Sequence, residues 1–280
     1  MIGISLRRKI PAALAETRLR LINASRYPGE LFLEIIIPTI LASMPILLGQ
    51  AAAGPDAAAN FAANTGTTNY VAYLLIGSNV FVLVTRAFWD IAYWLRFEQE
   101  TGTLEAIYLT PTSSLTLASG VALYSAVRGL TTTSLAYLLG CLVYRVNPVQ
   151  GDVLLAVTFI LVGLIPLYGM AFLFGALVLK VKESNALVGL MQWLVSFLMG
   201  IFFPVAVLPP LAKALALAFP PTWMVNGVRS ALLGVGFFFE TWYQDLAMLG
   251  VFLLFVPLFS MAVFRRVEQG LRRNQGVGEF

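Results

Sequence analysis

Histidine is absent from this 280-residue chain, and cysteine occurs once, at Cys141. The lack of histidine excludes His-ligated zinc or haem, Ser-His-Asp and Cys-His catalysis, and the HExxH arrangement of metalloproteases. A single cysteine cannot form an intramolecular disulfide, and its place in an apolar run indicates a small packing residue. The sequence also lacks a GxxxxGK[ST] phosphate-binding loop. We therefore expect no catalytic residue, metal site or cofactor in this chain, and no nucleotide hydrolysis by the chain alone.

Charge is equally scarce. Charged residues make up 11% of the chain and hydrophobic residues 59%, whereas globular proteins contain about 25% charged residues. Apolar runs of about 20 residues can each cross a hydrocarbon layer of roughly 30 Å as a helix. Six such runs predict transmembrane helices: 31–49, 70–95, 117–144, 152–179, 185–204 and 243–264. The sequence therefore predicts an all-α integral membrane protein with a six-helix domain over residues 30–264.

Residues 1–29 lack the unbroken apolar core of a secretory signal. Their less polar positions recur at three- and four-residue steps, at Leu6, Ile10, Leu14, Thr17 and Leu21. That spacing predicts an amphipathic helix lying on the membrane surface. A poorly ordered basic leader is the alternative.

The basic residues are distributed unevenly between the segments that join the spans. If the N-terminus is cytoplasmic, thirteen of the 18 lysines and arginines fall on the cytoplasmic side, including those of the tail over 265–280. This asymmetry predicts that both termini are cytoplasmic and that the net charge of +4 attracts anionic lipid. No basic and aromatic patch suggests a nucleic-acid partner.

The segment RFEQETGTLEAIYLTP, residues 96–111, gathers three carboxylates between the second and third predicted spans. Pro111 disfavours helix at the residue before it, and Gly102 is poor inside a helix. Thr101 as a cap, followed by Glu105 in the first turn, favours a helix start at this point. We expect a short amphipathic helix parallel to the membrane, although an acidic solvated loop would give the same composition.

A second unusual segment contains two proline pairs, at 209–210 and 220–221. Proline removes a backbone donor and breaks helical continuity. The nine residues between the pairs would span only about 13 Å as a helix, too short to cross. We expect a re-entrant helical hairpin over about 205–238 that dips in from outside, with Lys213 and Arg229 at the headgroups. A plain interfacial loop is the alternative.

Four charged residues fall in or at the edge of predicted spans: Glu34, Arg86, Asp90 and Arg128. A charge at the bilayer centre costs about 2.5 to 3.5 kcal/mol, so such groups normally pair or face water. One interpretation is a substrate-pathway or gate network. The other is an Arg86–Asp90 pair near the cytoplasmic end with snorkelling to headgroups. We also hypothesise that Arg128 neutralises Glu34 or Asp90 across helices.

Two motifs carry a family resemblance. The acidic segment resembles the cytoplasmic loop of the permease subunits of type-2 ATP-binding-cassette exporters, through Glu98, Glu100, Gly102, Thr103, Leu104, Glu105 and Pro111. FFPVAVLPPLAKALALAFPPTW, followed by Arg229, is similar to the external re-entrant segment of that family, through Pro204, Pro209, Pro220 and Pro221. The order of these motifs among six spans extends the resemblance over nearly the whole chain.

The resemblance implies a permease half of an exporter in the cell (plasma or inner) membrane. Two permease chains, identical or similar, would each dock a separate ATPase subunit that binds ATP and Mg. The acidic segment would be the coupling helix, anchored by Leu104 and Ile107, with Glu98, Glu100 and Glu105 facing basic residues of the ATPase. Drugs, lipids, lipid-linked glycans and sodium are all compatible substrates. An ATP-independent channel or assembly scaffold, or a membrane-embedded lipid-modifying enzyme, is the alternative.

Overall fold

A computed structural model describes residues 6–103, 107, 113–179 and 184–274. Within these ranges the structure consists of helices and contains no strand. The α-helices are α1 (Leu6–Ser25), α2 (Pro28–Ala53), α3 (Ala57–Thr65), α4 (Tyr70–Glu100), α5 (Ser114–Tyr144), α6 (Val153–Val178), α7 (Ser184–Leu198), α8 (Pro210–Leu217), α9 (Pro220–Leu233) and α10 (Trp242–Asn274). Two short 3-10 turns, Gly54–Asp56 and Val205–Val207, precede α3 and α8.

Among the described residues, five helices are long and apolar enough to cross a membrane: α2, α4, α5, α6 and α10. The expectation of an all-α integral membrane protein is therefore confirmed. The predicted fifth span, 185–204, instead contains α7, a 15-residue apolar helix of about 22 Å. That length is less than the roughly 30 Å of a hydrocarbon layer, so the count of six spans stays a prediction.

Helix α4 lies at the centre of the bundle. It packs against α2, α5, α6, α7 and α9, and its side chains Ile91 and Leu95 are almost completely buried. The rings of Phe88 on α4 and Phe174 on α6 meet edge to face, with centroids 5.7 Å apart. A displacement of α4 would therefore disturb most of the bundle.

Helix α7 packs mainly against α4 and α8. Its Val188 and Met191 face Thr85 and Phe88 of α4. The short segment 180–184 predicts an adjacent hairpin of α6 and α7, but the described residues of α7 pack mainly against other helices. Val188 and Val195 of α7 are buried against the bundle, whereas Leu190 and Trp193 are exposed.

Helix α1 is anchored to α5 by a close approach of the two backbones. The Thr17 hydroxyl donates to the Gly120 carbonyl at 2.9 Å, and a Cβ at Gly120 would lie 2.4 Å from the Ala13 carbonyl oxygen. Ile10 and Leu14 remain exposed. The alternative of an unstructured leader is wrong for residues 6–25, while the position of α1 on a membrane surface stays a prediction.

Helix α10 joins the predicted last span and the basic tail in one 33-residue helix about 50 Å long. The expected boundary between 264 and 265 is therefore not a break in the backbone. Phe264 is buried at that point, edge to face with Phe172 of α6.

Candidate functional site

The four intramembrane charges predicted from the sequence meet in one charge cluster (Glu34, Arg86, Asp90 and Arg128). Glu34 on α2 lies 2.5 Å from Arg86 Nη1 on α4 and 2.7 Å from Arg128 Nη2 on α5. Arg86 also pairs with Asp90 one helical turn away, at 3.2 Å. One carboxylate thus joins three helices, and the Arg86–Asp90 and Arg128–Glu34 pairs exist together.

Arg128 has two further partners that the sequence did not suggest. Its Nη1 donates to the Tyr124 hydroxyl at 2.5 Å, and its Nη2 lies 3.4 Å from a carboxylate oxygen of Glu30. The Glu30 side chain is 63% exposed, whereas Arg128 is buried. Glu30 lies one helical turn before Glu34, and that spacing was the only available signal.

A cavity of about 520 Å³ lies beside the charge cluster, between α1, α2, α4 and α5. We call it the charged cavity. Its charged lining residues are Glu16, Arg20, Glu30, Asp90, Glu98 and Arg128. Its aromatic lining residues are Tyr27, Tyr93, Trp94, Phe97 and Tyr124.

The acidic segment begins as the end of α4. Arg96 and Glu100 form an i, i+4 pair at 2.6 Å, and the Thr101 hydroxyl donates to the Phe97 carbonyl at 2.7 Å. The chain turns at Gly102, whose φ is +71°, a conformation that favours glycine. Residues 96–100 complete α4, and helix resumes at Thr103 after the turn. The expected helix start near Thr101 is therefore confirmed, while the role of Thr101 as a helix cap stays a prediction.

Beyond the turn, Thr103 and Ile107 are helical. The Thr103 hydroxyl donates to the Glu98 carboxylate at 2.5 Å, which ties the two sides of the turn together. Ile107 is half-buried and packs against the hydrophobic core of this chain. Leu104, Glu105 and Pro111 lie outside the described residues.

The proline pairs bound two short helices, as the sequence predicted. Helix α8 begins at Pro210, directly after Pro209, and α9 begins at Pro220 and Pro221. Proline suits the first turn of a helix, where its missing N–H has no acceptor. Pro204 precedes the 3-10 turn before α8. The entry of this hairpin into a membrane stays a prediction.

Arg229 fixes the hairpin to the rest of the bundle. Its guanidinium donates to the carbonyl oxygens of Tyr73 at 3.2 Å, Gly200 at 2.8 Å and Ile201 at 2.6 Å. The side chain is 2% exposed, so the expectation that Arg229 reaches the headgroups is wrong. Gly77 makes room for it, since a Cβ there would lie 2.0 Å from Arg229 Nη2.

The family model described as ABC-2 family transporter protein matches residues 38–262. The chain belongs to the ABC-2 transporter family. Members of this family are membrane components of transporters, which agrees with the spans described above. A search of curated proteins found no match.

The matched region of this ABC-2 chain contains the acidic segment, Arg86, Arg128 and the whole hairpin. Glu30, Glu34 and α1 precede it. The carboxylates that neutralise Arg128 are therefore contributed from outside the part of the chain that the family model covers.

A hydrogen bond between α5 and α10 was also not predicted from the sequence. The Ser114 hydroxyl, in the first turn of α5, donates to Glu268 Oε1 on α10 at 2.6 Å, and both side chains are buried. The residues are 154 positions apart, so no local pattern could pair them. Among the described residues, no cluster of three or more Cys, Asp or Glu side chains could hold a metal ion.

Proposed function

We propose that this chain is the membrane permease of an ATP-driven exporter, with ATP and Mg bound by a separate ATPase subunit. Membership of the ABC-2 family is the observation that carries the proposal. It is supported by the acidic end of α4, where Glu100 is exposed. Because α4 packs against most other helices of the bundle, a force applied at its end would reach nearly the whole domain.

The acidic segment serves as the coupling element in this proposal. Ile107 packs against the permease's own core, so the segment moves with the domain to which it belongs. Glu98 and Glu100 orient the ATPase by pairing with its basic residues. Exposed pairs of this kind contribute roughly 0 to 1 kcal/mol each, so apolar contacts of the segment supply most of the docking energy.

Two permease chains, identical or similar, pair in the membrane and alternate the access of the substrate between cytoplasm and exterior as their ATPases close and open. The excess of basic residues on the segments adjoining both termini supports a cytoplasmic location for the two ends. The same residues favour contact with anionic lipid in a plasma or inner membrane.

The experiment compares two double variants with the same change in charge. Glu98→Lys with Glu100→Lys reverses the charge of the acidic segment, and Asp56→Lys with Glu240→Lys does the same at exposed positions at the other end of the bundle. After purification from membranes in mild detergent, we expect wild type and the control to retain an ATPase subunit. The acidic-segment variant should retain at least about tenfold less ATPase subunit than wild type, since repulsion replaces favourable ion pairs.

Equal retention of the ATPase by both double variants would contradict the role of the acidic segment. Failure of wild type to retain any ATPase would contradict the exporter and favour an ATP-independent channel or scaffold.

A further inference from the structure

The charged cavity combines features that suit one class of ligand. Its volume of about 520 Å³ falls within the 300 to 1,000 Å³ of sites for small organic molecules. We propose that it binds an amphiphile with a positively charged head and an apolar body. The inference deepens the proposed function by naming a substrate class and depends on that function only for the direction of movement.

The wall of the charged cavity is rich in carboxylates. The carboxylates at the cavity wall or paired directly with it are Glu16, Glu30, Glu34, Asp90 and Glu98. The guanidiniums are Arg20, Arg86 and Arg128. Among these described residues the carboxylates exceed the guanidiniums by two, so the wall favours a cation.

The guanidiniums at the charged cavity are already paired with carboxylates of this chain. Arg20 holds Glu16 at 2.6 Å, and both Arg86 and Arg128 hold Glu34. Glu30 has a looser contact, 3.4 Å from Arg128, and its side chain is 63% exposed. The carboxylate of Glu30 can therefore approach a ligand without breaking the ion pairs of Glu34.

Aromatic rings form another part of the wall of the charged cavity. Tyr93 and Phe97 lie one helical turn apart on α4, are 65% and 52% exposed, and stack with centroids 6.4 Å apart. Tyr27 is also exposed beside Glu30. Aromatic faces attract organic cations and provide apolar contact for the rest of the molecule.

A second cavity at the opposite end of α2 and α4 has a different character. Its volume is about 440 Å³, and its lining includes Asn60, Phe61, Asn64, Tyr70, Phe202 and Phe203. None of the described residues that line this neutral cavity is charged. A cation passing from the charged cavity to the neutral cavity would lose its carboxylate partners, which favours release at that end.

The test measures binding of tetraphenylphosphonium to the purified full chain, together with any ATPase that co-purifies, in lipid nanodiscs without ATP. Tetraphenylborate has nearly the same shape and the opposite charge. After subtraction of binding to empty nanodiscs, we expect saturable binding of the cation and at least about tenfold weaker binding of the anion, because the wall carries excess negative charge. Equal affinity for the two ions, or no saturable binding of the cation, would overturn the proposal.

Two matched variants locate the site. Glu30→Gln should weaken binding of tetraphenylphosphonium about fivefold, as expected for loss of one partly exposed charge partner. Glu240→Gln, an exposed carboxylate far from the cavity in the chain, should leave binding unchanged. An unchanged affinity of Glu30→Gln would overturn the proposal.

A final comparison identifies the natural source of the cation. The binding of tetraphenylphosphonium is measured again in nanodiscs that contain phosphatidylethanolamine. If this lipid competes with tetraphenylphosphonium in wild type but not in Glu30→Gln, the result would support the charged cavity and assign it to a lipid headgroup. If tetraphenylphosphonium binding depends on Glu30 and the lipid does not compete with it, the result would support the charged cavity and assign it to a soluble cation. Because no step requires ATP, a negative result here is distinguishable from a failure of ATPase docking.

Discussion

The guanidinium carbon of Arg229 lies 3.6 Å from the centre of the Tyr73 ring, while its Nε donates to the Tyr73 carbonyl. One side chain of α9 thus contacts both the ring and the backbone of one residue of α4. The hairpin α8–α9 is held to the central helix by this contact, and the segment after α7 joins it through Gly200 and Ile201.

Replacing Arg229 with lysine should therefore destabilise the protein although the charge is kept. A lysine ammonium lacks the planar fork that reaches three separate carbonyl groups, and each hydrogen bond to a charged group contributes about 1.5 to 3 kcal/mol. We expect Arg229→Lys to lower the melting temperature in detergent by about 5 to 10 °C. Lys213→Arg, at an exposed position of α8, is the control and should melt like wild type. An unchanged melting temperature for Arg229→Lys would refute the anchoring role.

Gly77→Ala should also destabilise the protein, because the new methyl group would displace the Arg229 side chain. The added methyl group would lie 2.0 Å from Arg229 Nη2 and 2.5 Å from the Ile201 carbonyl oxygen, so the guanidinium would have to leave its site. Gly250→Ala adds the same atom on α10, where a Cβ would meet nothing within 4 Å. In thermal unfolding, the melting temperature should fall clearly for Gly77→Ala and stay at the wild-type value for Gly250→Ala. If the two alanine variants are equally stable, the packing of Arg229 against α4 is not as described.

Glu34→Gln should destabilise the bundle far more than Glu30→Gln. Glu34 contacts both Arg86 and Arg128, and removal of one partner from a poorly solvated ion pair costs about 3 to 5 kcal/mol. Glu30 is mostly exposed, so its loss should cost less than about 1 kcal/mol. Melting temperatures of the two variants in the same detergent provide the measurement. Equal losses would show that Glu34 does not hold the three helices together.

Gly120→Leu should detach α1 from α5. The new side chain would collide with the Ala13 carbonyl oxygen and with Glu16, and the hydrogen bond from Thr17 would be lost. We expect trypsin to cleave at Arg18 or Arg20 at least about tenfold faster than in wild type, because cleavage requires local opening. Gly189→Leu, on α7 where a Cβ meets nothing within 4 Å, should be cleaved at the wild-type rate. Unchanged cleavage of Gly120→Leu would mean that α1 is not fixed at this position.

The features that depend on local sequence were predictable. Long apolar runs identified α2, α4, α5, α6 and α10, because hydropathy over about 20 residues is sufficient for that purpose. The proline pairs placed the starts of α8 and α9, since proline acts on the backbone next to it.

The features that depend on tertiary packing were not predictable. Arg229 was expected in the headgroups because a lone arginine near a span end usually reaches water. Its actual acceptors include Tyr73, 156 positions away. Backbone carbonyl groups carry no sequence signal, since every residue has one. The last turn of α4 was not part of the predicted span, because the apolar run ends near Leu95 whereas the helix continues through the polar pair of Arg96 and Glu100.

The charge cluster also has a consequence for biosynthesis. Arg128 follows Glu34 by 94 positions, and ribosomes add about 5 to 20 residues per second. Helix α2 must therefore wait on the order of 5 to 20 s before its final arginine partner emerges. Glu34 of the newly made α2 has neither arginine partner until Arg86 is made, and it gains the second only with Arg128. The order in which the chain is translated therefore determines when α2, α4 and α5 can first assemble.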